Sequence, residues 1–264
     1  MNNELVKLHE WLCLNRLSLN ISKTNFIIFH SLRKPVNSVV TLLINKQAIE
    51  EVEYVKYLGV LLDAKLTFNY HINILSKKIS RAVGVLYKLR PFVTPRILTS
   101  VYYAIAYPFL LYGITIWGNA NNTLIRPLHI LQKKIVRMIT NNDTFPDVPG
   151  PLAHSPPLFQ QLKIVTIYDI FKIQVAKFVF ESINDLGPAQ SVIKYNLASD
   201  IHHHGTRYKE RGNFHKNYSR TVKYGSKAIK NRGIVIWDSL PARECRSKKS
   251  LITNYKKLLL EEYI

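Results

Sequence analysis

Residues 52–89, "VEYVKYLGVLLDAKLTFNYHINILSKKISRAVGVLYKL", carry two periodicities in one stretch. Up to Asp63 apolar residues alternate with polar ones, which is the pattern of a half-buried β-strand. Gly59 falls inside that strand pattern, where glycine is kept when a ligand or another backbone passes close, or when the strand must bend. From Asn69 the period lengthens. Ile72, Leu75, Ile79, Ala82/Val83, Leu86 and Leu89 form the apolar stripe of a helix, and Lys77, Lys78, Arg81 and Lys88 lie off it.

The patterns on either side extend this switch. Leu5, Leu8, Trp11 and Leu12 predict a helix over 2–14, followed by a turn through Asn20–Thr24 and a β run, "NFIIF". Val39–Ile44 reads as a strand, with a turn at Asn45-Lys46-Gln47. Beyond residue 89, Thr94-Pro95 is a helix start. It opens an uncharged run, 97–125, long enough to raise the question of a membrane span. Pro108, Gly113 and four interspersed tyrosines argue instead for a buried helix pair broken at Tyr107-Pro108. The next helix points Leu124, Leu128, Leu131, Ile135 and Ile139 inward, and Lys133, Lys134 and Arg137 outward. After the Pro-rich break at 145–158, a neutral helix at about 164–183 carries a stripe of Ile170, Phe171, Gln174, Phe178 and Val179, and Gly187-Pro188 ends it. The expected architecture is mostly α with a small β element at the N-terminus.

Charge is placed unevenly. The 264 residues carry a net +20, distributed as +1 over 1–64, +9 over 65–150, zero over 151–200 and +10 over 201–264. No acidic residue occurs between Asp63 and Asp143. Solvated surfaces normally mix both signs, so this segment is expected to face a polyanion. In the tail, Tyr208, Phe214, Tyr218 and Tyr224 are interleaved with Arg and Lys, as in a single-strand binder or a basic linker. Two cysteines 232 positions apart, Cys13 and Cys245, fit a reducing, intracellular compartment.

Catalytic constellations are incomplete. None of the seven aspartates stands as Asp-Asp or Asp-x-Asp, so no two-metal site is written in the chain. His202-His203-His204 reads as a solvated loop rather than a metal site, and His9 with Cys13 reads as helix packing. No metal ligands, bound cofactor or small-molecule substrate are expected.

Five blocks in order carry a resemblance: "HEWLCLNRLSLNISKTNFIIF", "VKYLGVLLDAKLTFNYHI", "YYAIAYPFLLYGITIWG", "LQKKIVRMIT" and "GIVIWDSLPAREC". Together they resemble the C-terminal part of the reverse transcriptases of non-LTR, jockey-type retrotransposons. The resemblance implies four segments: a palm remnant (1–68), a helical thumb (69–144), the Pro-rich break with its neutral helix (145–200) and a basic, less regular C-terminal region (201–264).

It also implies that Tyr57, Leu58, Gly59 and Val60 correspond to the primer-grip hairpin, where a backbone without a side chain lets the primer lie close. Lys23 falls where the family has a lysine near the leaving pyrophosphate. The thumb cations are then Lys77, Lys78, Arg81, Lys88, Lys133, Lys134 and Arg137, and Arg207, Arg211 and Arg220 contact phosphates from the tail. The family's aromatic-x-Asp-Asp hairpin, which works with Mg²⁺, lies upstream of the "LSLNISKT" turn (17–24), and Met1 stands just after that place. The expectation is therefore a fragment that binds RNA or RNA–DNA duplex and catalyses nothing alone. A truncated version of an active RNA-directed DNA polymerase, or a co-opted nucleic-acid-binding scaffold, are the alternatives.

Overall fold

The computed structural model describes residues 1–31, 40–140, 155–184, 186, 193–201, 205–206, 212–216, 218–221, 225–240 and 247–263. It divides into two compact units, Met1–Asn73 and Ile74–Ile264.

The first unit opens with α1 (Asn2–Leu14), followed by a single 3₁₀ turn at Ile21–Lys23. Six short strands follow: β1 (Asn25–Phe26), β2 (Leu43–Ile44), β3 (Gln47–Ala48), β4 (Glu50–Glu51), β5 (Tyr54–Tyr57) and β6 (Val60–Asp63). They pair two by two. β1 runs parallel to β4, and β2–β3 and β5–β6 are antiparallel hairpins. Among the described residues, the predicted "NFIIF" and Val39–Ile44 strands are thus ladder-paired at Asn25–Phe26 and Leu43–Ile44, and Val39 lies outside those residues. The Asn45–Lys46 turn takes positive φ at both residues, the backbone a two-residue hairpin turn needs, and asparagine tolerates it well. Leu42, Ile44 and Ile49 form the buried centre, with Leu5, Leu19, Ile21, Phe26 and Val40 packed against it. Asn2 pins α1 to this centre as a strand would, accepting from Leu43 N (3.1 Å) and donating to Thr41 O (3.3 Å).

The 52–63 stretch corrects the sequence reading. It is two strands, and Leu58-Gly59 is the turn between them, with Tyr57 paired to Val60. A two-residue turn leaves the apolar alternation unbroken on both arms, so the pattern looks like one continuous strand. Gly59 supplies one of the two positive φ angles (84°) and Leu58 the other (45°).

α2 (Asn69–Leu89) starts in the first unit and continues into the second. A short 3₁₀ turn, Arg90–Phe92, leads to α3 (Pro95–Ile105), α4 (Tyr107–Leu111), α5 (Ile114–Trp117) and α6 (Asn122–Ile139). The uncharged run is therefore three short helices, broken beside Pro108 and again at Gly113, whose φ is +61°. Leu98, Tyr102, Ala106, Leu110 and Ile114 are all buried at four-residue spacing through those breaks. Among the described residues no helix is long and apolar enough to cross a membrane.

α7 (Ser155–Gln161) and α8 (Ile167–Ile183) follow, then α9 (Ala198–Ile201), α10 (Ile229–Asp238) and α11 (Lys248–Glu261). α8 is the central pillar, touched by α4, α5, α6, α10 and α11. A one-sided stripe was expected there. Instead Ile167, Ile170, Phe171, Ile173, Val175, Ala176, Val179 and Phe180 are buried all round, while Gln174 and Phe178 are half-buried. A helix enclosed on several sides has no polar face to keep. The tail is correspondingly no detached linker in its helical part. Ile234, Ile236, Trp237, Leu251, Tyr255 and Leu259 are buried, and Lys248 pairs with Glu181 of α8.

Candidate nucleic-acid interface

On α2, Leu75, Ile79, Ala82 and Leu86 are buried. At 3.6 residues per turn, Lys77, Arg81 and Lys88 fall within about 40° of one another on the side opposite that apolar stripe. All three are exposed. Lys78 sits about a quarter-turn round, its Nζ 5.0 Å from the centroid of the Phe109 ring on α4, a cation–π contact that tethers it. α2 therefore presents a continuous basic line without a carboxylate.

On α6 only Lys134 is fully outward. Lys133 and Arg137 are half-buried at the edge of the core face, a correction to the outward placement, and Arg137 Nε is enclosed without an acceptor among the described residues. Exposed Arg126 shares their line at i−7 from Lys133. Periodicity alone could have found it. Burial and the neighbouring Lys133 push His129 down to about 4, so it stays neutral and brings no charge to this face at neutral pH.

The remaining predicted residues are scattered. Tyr57, Leu58 and Gly59 are exposed at the hairpin tip and Val60 is buried beneath it. Leu58 is 74% exposed while holding a left-handed backbone that leucine rarely adopts. Lys23 is exposed at the end of its 3₁₀ turn. Arg220 is exposed, as is Tyr218 at 90%, whereas Phe214 is buried and unfit to stack a base. Arg207, Arg211, Tyr208, Tyr224 and His202–His204 lie outside the described residues.

Two carboxylates do structural work the sequence did not announce. Asp63 accepts from Thr67 N (2.9 Å), Thr67 Oγ1 (2.9 Å) and Phe68 N (2.7 Å), closing the loop between β6 and α2. Burial opposes its charge, but those hydrogen bonds outweigh it and hold its pKa below the ordinary value. Asp169 accepts from Tyr263 Oη and Thr166 Oγ1 and pairs with Lys172 at 2.9 Å. Gln132, wholly buried, donates to Tyr102 Oη (3.0 Å) and Val165 O (2.9 Å) and accepts from Ile167 N (2.9 Å). It binds α6 to α3 and to the first turn of α8.

A cleft of about 570 Å³ in the first unit is lined by residues including His30, Glu51, Glu53, Asp63, Lys65 and Tyr70, and none of the predicted site residues reaches it. Among the described residues no three His, Cys, Asp or Glu side chains gather as a metal site.

The described residues thus give a small paired-strand unit and a helical unit, with a basic face on α2 that carries no carboxylate. Sequence comparison then identifies its kin. The probable RNA-directed DNA polymerase from transposon X-element of Drosophila melanogaster is 29% identical over 163 residues, covering 61% of this chain and 17% of that protein. The RNA-directed DNA polymerase from mobile element jockey of the same fly is 31% identical over 103 residues, 37% of this chain and 11% of that protein. A third, the probable RNA-directed DNA polymerase from transposon BS, is 31% identical over 96 residues. No family model matches the chain, and no solved structure does. The chain is thus similar to RNA-directed DNA polymerases of non-LTR retrotransposons, the family its five sequence blocks resemble, and spans less than a fifth of the length of these proteins.

Proposed function

We propose that these 264 residues form the nucleic-acid-holding part of a non-LTR retrotransposon reverse transcriptase. The chain grips RNA or an RNA–DNA duplex through phosphates, with little sequence preference, and its own residues do not carry out polymerisation. The RNA-directed DNA polymerase activity for which the relatives are named and the acid-free basic faces support this reading. The observation that carries it is the line of Lys77, Arg81 and Lys88 directly opposite the buried stripe of α2. Phosphate contacts position a duplex without reading its sequence. Lys133, Lys134, Arg137 and Arg220 extend the grip, and the Leu58-Gly59 tip is the part of the β5–β6 hairpin that approaches the primer strand.

The test is a salt series of binding isotherms with an RNA–DNA hybrid. Changing Lys77, Arg81 and Lys88 together to Ala should weaken binding to all sequences alike and flatten the log–log salt slope by about two to three units. Lys163, Lys177 and Lys194 come from the electrically neutral segment, and removing them should matter far less; Lys172 is spared because it pairs with Asp169. Equal losses from the two triple variants would leave only a generic polycation and overturn the proposal.

A further inference from the structure

Gly84 lies at the edge of that line, about 40° from Lys88 and about 60° from Arg81 by helical phase, and between them along the axis of α2. Glycine is among the poorest helix formers, so a mid-helix glycine normally answers to packing or to backbone conformation. Gly233, the glycine within α10, answers to packing: a Cβ there would stand 2.7 Å from Tyr195 Oη and 2.9 Å from Val179 Cγ2. Gly59 and Gly113 answer to conformation, with φ of 84° and 61°. Gly84 answers to neither. Its φ is helical, it is exposed, and among the described residues nothing lies within 4 Å of where its Cβ would be. The missing side chain leaves a strip of bare backbone flanked by two cations.

We propose that Gly84 is the seat at which the sugar-phosphate backbone of a bound nucleic acid comes closest to α2, an inference that rests on the nucleic-acid reading above. Lys77 to Lys88 spans about 16 Å of helix axis, close to five base-pair rises of about 3.4 Å measured along a duplex axis. A strand laid on this line meets a cation at either end, Arg81 between them, and a notch of one side chain's depth beside Arg81. A charge-only surface gains nothing from glycine here, since alanine would stabilise the helix and leave every charge in place. A backbone pressed into the notch does gain, because a methyl or isobutyl group would hold the phosphates off and lengthen the flanking contacts.

The experiment uses the whole chain with Gly84→Ala and Gly84→Leu, measured by fluorescence anisotropy on an RNA–DNA hybrid across a salt series, with thermal melts beside it. Both variants should melt at or above the parent's midpoint. Affinity should fall by about threefold for Ala and by tenfold or more for Leu, as steric crowding grows with side-chain volume. The salt slope should stay unchanged because no charge has been removed. Unchanged affinity in both variants would overturn the seat and leave the phosphate grip standing. A lowered melting midpoint would make the glycine structural and equally overturn it. Absence of hybrid binding by the parent would remove both readings. If phosphatidylserine vesicles bind and respond to Gly84→Leu while the hybrid does not respond, the line faces lipid and the proposal fails.

Discussion

Gln132 is the residue whose removal the structure prices most clearly. It is fully enclosed and uses both polar atoms of its amide, through three hydrogen bonds. Ile167 N belongs to the first turn of α8, one of the donors that a helix cannot satisfy internally. Gln132→Ala therefore strands the Ile167 amide, the Val165 carbonyl and the Tyr102 hydroxyl in a site with no water access. Each orphaned group costs about 1–3 kcal/mol, and the vacated volume adds to that, so a loss of about 4–6 kcal/mol is expected. That is a large part of the ~5–15 kcal/mol that holds a typical domain. Tyr102→Phe strands only one Gln132 hydrogen and should cost about 1 kcal/mol. Urea unfolding followed by circular dichroism gives both numbers, and the ratio between them survives any common error in extrapolation. A Gln132→Ala loss no greater than that of Tyr102→Phe would refute the account of Gln132 as the joint between α3, α6 and α8.

Two further expectations concern the first unit. Asp63 has a depressed pKa when folded, so its contribution is fully present above the ordinary carboxylate range and is lost as pH falls through the folded value, below about pH 4. Asp63→Asn keeps one acceptor oxygen and should cost about 1–2 kcal/mol at pH 7, a gap that melts across pH 7 to 3 should show closing as the acid form takes over. Leu58→Asn replaces leucine in a left-handed turn position with a residue that favours it, and should stabilise the β5–β6 hairpin by about 1 kcal/mol. Amide exchange across Tyr54–Asp63 checks this, and faster exchange in the variant would show that the turn conformation is not what Leu58 strains against.

Where one face of an element is buried and the other wet, the sequence was legible. α2 shows it best: Ile72, Leu75, Ile79, Ala82 and Leu86 were read from period alone and all are buried. α3 begins at Thr94-Pro95 as its residues dictate, although the threonine hydroxyl makes no cap bond. Legibility failed where burial is not periodic. α8 is buried on nearly all sides, and its stripe was chosen from a helix that has none. On α6 the apolar residues fit two neighbouring stripes, 124/128/131 and 125/128/132. The second is the buried one, but choosing it requires a glutamine inside the core, which only its three tertiary partners make tolerable. The Leu58-Gly59 turn hid for another reason, since leucine is a poor indicator of a left-handed turn. Gly84 carries no signature in the sequence, because an exposed helical glycine is set apart only by its surroundings.

The placement of the few carboxylates bears on whether +20 is a specific surface or a coat. Asp63 and Asp169 are drawn inward and spent on closing a loop and anchoring Tyr263. Glu4 and Glu181 each pair with a lysine. These four acids balance local charge or hold local structure. On α2 that balancing is absent, and helical phase sets Lys77, Arg81 and Lys88 opposite the core rather than beside it. A coat evolved only against aggregation gains from interspersed signs, which weaken self-repulsion while keeping the net charge away from zero. Removing every acid from one helix forfeits that benefit and raises the cost of folding the helix, since like charges at i, i+4 such as Lys77 and Arg81 repel. The repulsion is relieved when a line of phosphates lies over it. Binding and stability are thereby linked: a nucleic acid that engages α2 should raise the melting midpoint of the parent chain more than that of the Lys77/Arg81/Lys88 variant, and most at low salt.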